Sequence, residues 1–321
     1  MHIVGFITSL KHAAQVQLYL RDAYTLLGGQ RDQWDRIVVI PCAVVLNLNW
    51  VADNLQWIHG AVMWRPSHVA VMLTDTAQSV GWGAYLPETG NVAHSSHSAS
   101  KKRQPIHLLE MQAILHSLSS FTHLLHGHQV ECCMDNKTAL ACLVNGGSSC
   151  PMMTLMAKQI YTLLDSISAS LYKAVWVKGS LNVKANAASR WVNHNDWTVH
   201  PHHIHRMWLE LGLWTIDRFA DHINHQVARF NSLFLVPGTE AQDTFSVTWG
   251  DEVNLLVLLF YLILCVLQHL VESQALGLIV IPRWEAQPWW PVLLCVTTKT
   301  IVLGSRVEVT ELGPSGECEP A

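Results

Sequence analysis

Charge is scarce in this chain of 321 residues: 14% of positions are Asp, Glu, Lys or Arg, while 50% are hydrophobic. That ratio excludes a disordered chain, which combines low hydrophobicity with high net charge. A basic surplus is lacking as well, since 20 Lys and Arg stand against 24 Asp and Glu, a formal charge of −4. No global pull on nucleic acid follows, and any such contact has to be local. The eight cysteines form no CxxC pair, and the start shows no basic stretch leading into an apolar core. The expectation is therefore no signal peptide, free thiols and an intracellular setting, nuclear or cytoplasmic. A membrane-length apolar run is also missing. The longest run, Leu255 to Leu267 (LLVLLFYLILCVL), falls short of the roughly 20 residues that a spanning helix needs. Asn254, Gln268 and His269 bound it without a flanking cationic cluster, so it reads as a buried helix and a membrane partner is disfavoured.

What is present divides at Trp64-Arg65-Pro66-Ser67-His68, where the proline interrupts helical periodicity. Residues 1–67 read as two or three helices, with Pro41 between the first and the next. Beyond the break the grammar changes. His68 to Leu73, Val80 to Leu86 and Asn91 to Ser98 are short β-rich runs with tight turns, suggesting an antiparallel meander. Pro105 opens a helix reaching Leu125. Gln129 to Met134 is a strand, Thr138 to Val144 and Met152 to Ile167 are helices, Leu171 to Val177 is a strand, and Asn182 to Trp191 is the last helix. Strands first adjacent and then alternating with helices predict an α/β domain over 68–192, with a mixed five-stranded sheet flanked by helices. Residues 193–303 form a C-terminal extension rich in His and Trp, and 304–321, with its glycines and prolines, is expected to be a disordered tail.

Three acids fall at element ends within 68–192: Asp75 at the end of the first strand, Glu110 in the first turns of a helix and Asp135 at the end of the fourth strand. Taken singly, each has an ordinary reading as a turn cap, a solvated helix acid or an N-cap. Together they lie where neighbouring strands build sites in α/β sheets. Glu110 follows Leu108 and Leu109 on an inward face, where an unpaired carboxylate is costly and a cation would relieve it. Converging hard oxygens suit Mg²⁺ or Mn²⁺.

At these residues the chain resembles the ribonuclease H region of reverse-transcribing elements, most closely DIRS-type retrotransposons. The blocks that carry the resemblance, in order, are LTDTAQSVGWGAYL (73–86), IHLLEMQAI (106–114), MDNKTALACL (134–143) and WVKGSLNVKANAASR (176–190). The stretch Ser9 to Leu27 is similar to the polymerase-to-ribonuclease H link of such polyproteins. IDRFADHINHQVARFNS (216–232) and IPRWEAQPWWP (281–291) are similar to the extension after that domain, and no YxDD-like strand pair precedes it. The resemblance implies a ribonuclease H-like fold, two divalent ions held by Asp75, Glu110, Asp135 and a fourth residue, and hydrolysis of RNA in an RNA–DNA hybrid. It also implies a reverse transcriptase partner supplied elsewhere. The fourth position, usually Asp in an AD-x-x-SR pattern, is Asn186 here. The amide keeps an oxygen ligand but not its charge, which implies a weakened second ion site.

Contacts to nucleic acid would fall to the basic triplet Lys101, Lys102 and Arg103, to Lys178, Lys184 and Arg190 around the last helix, and to Asn136. A solvated loop explains the charges and a helix cap explains Asn136 equally well. The group His200 to His205 (HPHHIH) lacks cysteines at finger spacing and reads as a polar loop and not as a zinc site. Trp284, Trp289 and Trp290 are either base-stacking platforms or buried packing. Two readings remain: a metal-dependent endonuclease on hybrids, and a non-catalytic nucleic-acid-binding remnant of a retroelement. A weaker third is membrane association through Leu255 to Leu267.

Overall fold

The computed structural model describes residues 13–28, 37–58, 69–98, 100–192 and 197–312. The expected break at 64–68 lies outside the described residues. Helices α1 (Ala13–Gly28) and α2 (Cys42–Ile58) precede the sheet, and Pro41 immediately precedes the second helix. There it costs no intrahelical hydrogen bond. Tyr19 of α1 stacks on Trp50 of α2 with ring centres 3.7 Å apart.

Then follow β1 (Val69–Ala77), β2 (Gly81–Tyr85), β3 (Val92–Ser96), α3 (Ile106–Ser120), α4 (Thr122–Leu125), β4 (Gln129–Met134), α5 (Lys137–Val144), α6 (Pro151–Ser166), β5 (Ser170–Trp176) and α7 (Val183–Ser189). The five strands form one mixed sheet in the order β3-β2-β1-β4-β5. Turns too short for a crossover join the first three strands, while β1 to β4 and β4 to β5 are parallel pairs that need helical crossovers. The helix expected to run unbroken to Leu125 ends at Ser120 and restarts at Thr122.

By packing, the described residues form two units. The first comprises described residues up to Asp75, with 85–90 and 105–183; the second comprises 76–84, 91–104 and described residues from Lys184 onward. In the first, α6 buries Met153, Met156, Ala157, Ile160, Tyr161 and Leu164, the three-and-four spacing of a helix with one buried stripe. α3 differs: Leu109, Glu110 and Met111 are all buried, so consecutive residues are covered and no single stripe is free for an acid.

In the second unit β6 (Trp197–Val199) leads to α8 (Pro201–Leu211), β7 (Ile216–Asp217), β8 (Asn231–Ser232), β9 (Ala241–Gln242), β10 (Val253–Val257), α9 (Ile263–Glu272), β11 (Leu276–Val280), α10 (Trp290–Val296), α11 (Arg306–Val309) and β12 (Thr310–Leu312). Strands β11, β10 and β7 make a three-stranded sheet with both neighbours of β10 parallel to it.

This arrangement corrects three expectations. Leu255 to Leu267 is not one buried helix, because Leu255 and Leu256 lie in β10, a 3₁₀ turn spans Phe260–Leu262, and the helix begins at Ile263. A central parallel strand is buried on both faces and reads as continuous apolar sequence, which short-range periodicity cannot tell from a helix. The group His200 to His205 is not a loop: His200 precedes α8, whose first turn carries Pro201, and buried His203 shares a hydrogen bond with the Glu308 carbonyl. Within the expected tail, Ser305 and Glu308 form a capping box on α11 and β12 pairs antiparallel with β6, so 305–312 are structured, while 313–321 lie outside the described residues. That pairing joins residues more than a hundred positions apart. No helix among the described residues is long and apolar enough to cross a membrane.

Candidate metal centre

The register of β1 on β4 sets the site. Leu73 lies opposite Cys133, so Asp75 and Asp135 each stand two residues further along parallel neighbours, at the same level and with the same side-chain parity. Glu110 arrives from the second turn of α3. One carboxylate oxygen from each of the three lies within 4.8 Å of the others.

Asp75 and Glu110 are both about 3% exposed, so little water solvates them. Burial pushes the Glu110 carboxyl up to about 9, and the charges of Asp135 and Asp75 add to the rise. Its Oε2 is buried without a hydrogen-bond partner. A buried acceptor in that condition costs about 1–3 kcal/mol unless something occupies it. Three hard oxygen donors with an orphaned atom among them fit a divalent cation such as Mg²⁺ or Mn²⁺.

Surrounding groups hold the Asp135 end in place. The Trp176 indole N–H donates to the Asp135 carbonyl at 2.8 Å, and Lys137 lies 5.1 Å from the centre of the Trp176 ring. A Cβ built on Gly179 would stand 2.8 Å from Asp135 Oδ2, so no larger residue fits there unless that carboxylate moves. Asn182, fully buried, donates from Nδ2 to the Thr74 carbonyl at 2.8 Å and ties the loop after β5 to the residue before Asp75. Sequence reasoning missed Asn182 and Gly179. The only signal was their place in GSLNV, and nothing local separates them from ordinary turn residues.

The other expected residues are placed as follows. Asn136 caps α5, its Oδ1 accepting from the backbone N–H of Thr138 and Ala139, both at 3.0 Å. Lys101, Lys102 and Arg103 form a single 3₁₀ turn, and burial lowers the Lys101 ammonium below its ordinary value. Lys178, Lys184 and Arg190 are exposed. Asn186 is half-buried on α7, where its carbonyl accepts from Ser189 Oγ and from Arg190. α7 packs directly on Gly83: a Cβ there would meet the Ser189 nitrogen at 2.4 Å and the Ala185 oxygen at 2.6 Å. That approach explains why Ala185 and Ala188 are small and buried.

No family model and no curated protein matches the chain. Solved structures do. Ribonuclease H1 from the archaeon Halobacterium salinarum NRC-1 is similar over 38% of this chain and 94% of its own, with 14% identity and a TM-score of 0.31. The N-terminal ribonuclease H domain of a Mycobacterium tuberculosis protein, solved as a fusion with maltose-binding protein, is similar over 38% and 95%, with 17% identity and a TM-score of 0.32. Prototype foamy virus protease–reverse transcriptase is similar over 50% of this chain and 22% of its own, with 12% identity and a TM-score of 0.26.

Proposed function

We propose that this chain is a retroelement-derived, ribonuclease H-like protein that hydrolyses the RNA strand of RNA–DNA hybrids with Mg²⁺ or Mn²⁺, at a rate impaired by Asn186. The observation that carries the reading is the convergence of the Asp75, Glu110 and Asp135 carboxylates, with one Glu110 oxygen buried and without a hydrogen-bond partner. When bound, a pair of divalent ions supplies an activated water and charge compensation at the leaving 3′-oxygen. Asp75, Asp135 and Glu110 would hold the ions, with Asp75 common to both positions and Asp135 and Glu110 serving the first, where Glu110 would bind as its carboxylate. Asn182 and Gly179 keep the Asp75 and Asp135 ends from drifting. The sequence resemblance assigns the second position to Asn186, whose amide offers an oxygen without charge. Weakening that electrostatic support costs roughly 10²–10³ in rate.

Backbone and sugar contacts to an A-like hybrid would come from Lys101, Lys102, Arg103, Lys178, Lys184 and Arg190, with a polymerase partner supplied by another chain. The second reading, a non-catalytic nucleic-acid-binding remnant, is favoured by one observation, the amide at position 186. A labelled hybrid incubated with the protein across a Mg²⁺ or Mn²⁺ titration separates them. Cleavage that Asp75→Asn abolishes and Asn186→Asp raises by about 10²–10³ supports the enzyme. If all three forms bind hybrid equally and none cuts it, the remnant reading stands.

A further inference from the structure

In the second unit β11 is an edge strand, paired only with β10 among the described residues. An apolar groove of about 1320 Å³ is lined by all five residues of β11 and by Thr297 to Leu303. Thr297 to Leu303 hold no helix or strand, although Thr297, Thr298, Thr300, Ile301 and Val302 are β-branched residues of the kind that fill strands. One groove thus has in its lining both a strand edge and a β-prone segment that are unpaired with any further strand among the described residues.

The side chains point to the same use. Two residues of the lining, Leu276 on β11 and Val302, are 71% and 72% exposed. Exposed apolar residues gathered on a strand edge invite pairing with another chain. Among the ionisable residues of the lining, Arg283, Lys299 and Arg306 stand against the single acid Glu210, a surplus of two positive charges by the count 3 − 1. We propose that this groove takes an extended apolar peptide segment with acidic ends, which adds to β11 as a fourth strand. Main-chain hydrogen bonds to the edge supply the affinity, and alternate side chains enter the apolar lining. A helix or an acyl chain would fill the volume but leave the edge unpaired. The inference is independent of the nuclease reading, and no arm of its test measures cleavage.

The probe is a pool of fluorescent peptides of about nine residues, a long strand, with Val or Ile alternating with Thr and two Asp at each end. Binding to the full chain is followed by anisotropy, and hydrogen exchange reports the backbone. Saturable binding with slowed exchange at Leu276–Val280 is expected. Leu276→Lys and Val302→Lys, both at exposed positions that tolerate change, should each weaken binding by at least about tenfold, or about 1.4 kcal/mol. The proposal is overturned if no peptide binds at about 1 mM, or if peptides N-methylated at alternate amides bind as well. Stronger binding by a helical amphipathic peptide of the same composition would also overturn it. So would a dimer that Leu276→Lys dissolves, since a second copy would then occupy the edge.

Discussion

Both units bury charge, and they treat it in opposite ways. In the second, Arg218 donates from Nε to Asn254 Oδ1 at 2.6 Å and from a terminal nitrogen to Asn231 Oδ1 at 2.7 Å, and its guanidinium carbon lies 5.5 Å from the centre of the Trp249 ring. Its neighbour Asp217 accepts from the backbone N–H of Gln226 and Phe219. In the first unit three carboxylates crowd one another, and one Glu110 oxygen has no hydrogen-bond donor. Buried polar groups that serve architecture are satisfied inside the fold, as Arg218 is. Groups left in mutual repulsion are candidates for function, because something from outside completes them.

The contrast is broken most sharply at its two centres. Arg218→Ala should destabilise the protein by about 1–3 kcal/mol for each of the two oxygens, of Asn231 and Asn254, that it strands in the interior. Glu110→Gln should have the opposite sign without metal, since the crowded acid is relieved, and should remove the rise in melting temperature that Mn²⁺ otherwise gives. Denaturant titrations of both variants with and without Mn²⁺ measure this. Equal losses of stability in the two would erase the distinction.

A smaller effect is expected from Gly179→Ala, whose Cβ would force Asp135 Oδ2 aside. Metal affinity should fall about 10–100-fold, as for residues that support a ligand from behind, while stability in EDTA changes by under about 1 kcal/mol. Isothermal titration with Mn²⁺ reads the first and thermal melts the second. Unchanged affinity would mean that the Asp135 carboxylate has room the structure does not show.

The pH dependence is the finest test. Glu110 is pushed up to about 9 and Asp217 to about 7, in each case chiefly by burial. Both folded values exceed the unfolded ones, so the folded chain holds protons that the unfolded chain has lost. Stability therefore falls as pH rises, from the ordinary carboxylate range to about 7 for Asp217 and to about 9 for Glu110. Backbone donors limit the rise at Asp217; like charges add to it at Glu110. Above about pH 8 the folded chain has lost the Asp217 proton, and of these two acids Glu110 alone still titrates, with at most ~1.4 kcal/mol per pH unit. Metal-free unfolding at pH 7, 8 and 9 should show a decline that Glu110→Gln makes shallower, the remainder coming from Asp217 near pH 7 and from the Cys132 and Cys133 thiols, which burial also raises. A decline of equal slope in the variant would place the proton elsewhere.

The amino-acid sequence by itself determined the elements of 69–189 to within a few residues, because their hydrophobic spacing, prolines and turn residues are local signals. It also determined which three acids to join, since each stood near an expected element boundary, although Asp75 lies inside β1, which runs on to Ala77. Tertiary structure alone decided the rest. The level placement of Asp75 and Asp135 comes from the pairing of Leu73 with Cys133, and the roles of Gly179 and Asn182 from what lies across from them. The split of Leu255 to Leu267 into strand, turn and helix follows from the neighbours on both sides of β10, and the structured part of the tail from a pairing with β6. Each of these depends on residues far apart in the chain, where periodicity carries no information and only the packing of distant elements selects among locally equal alternatives.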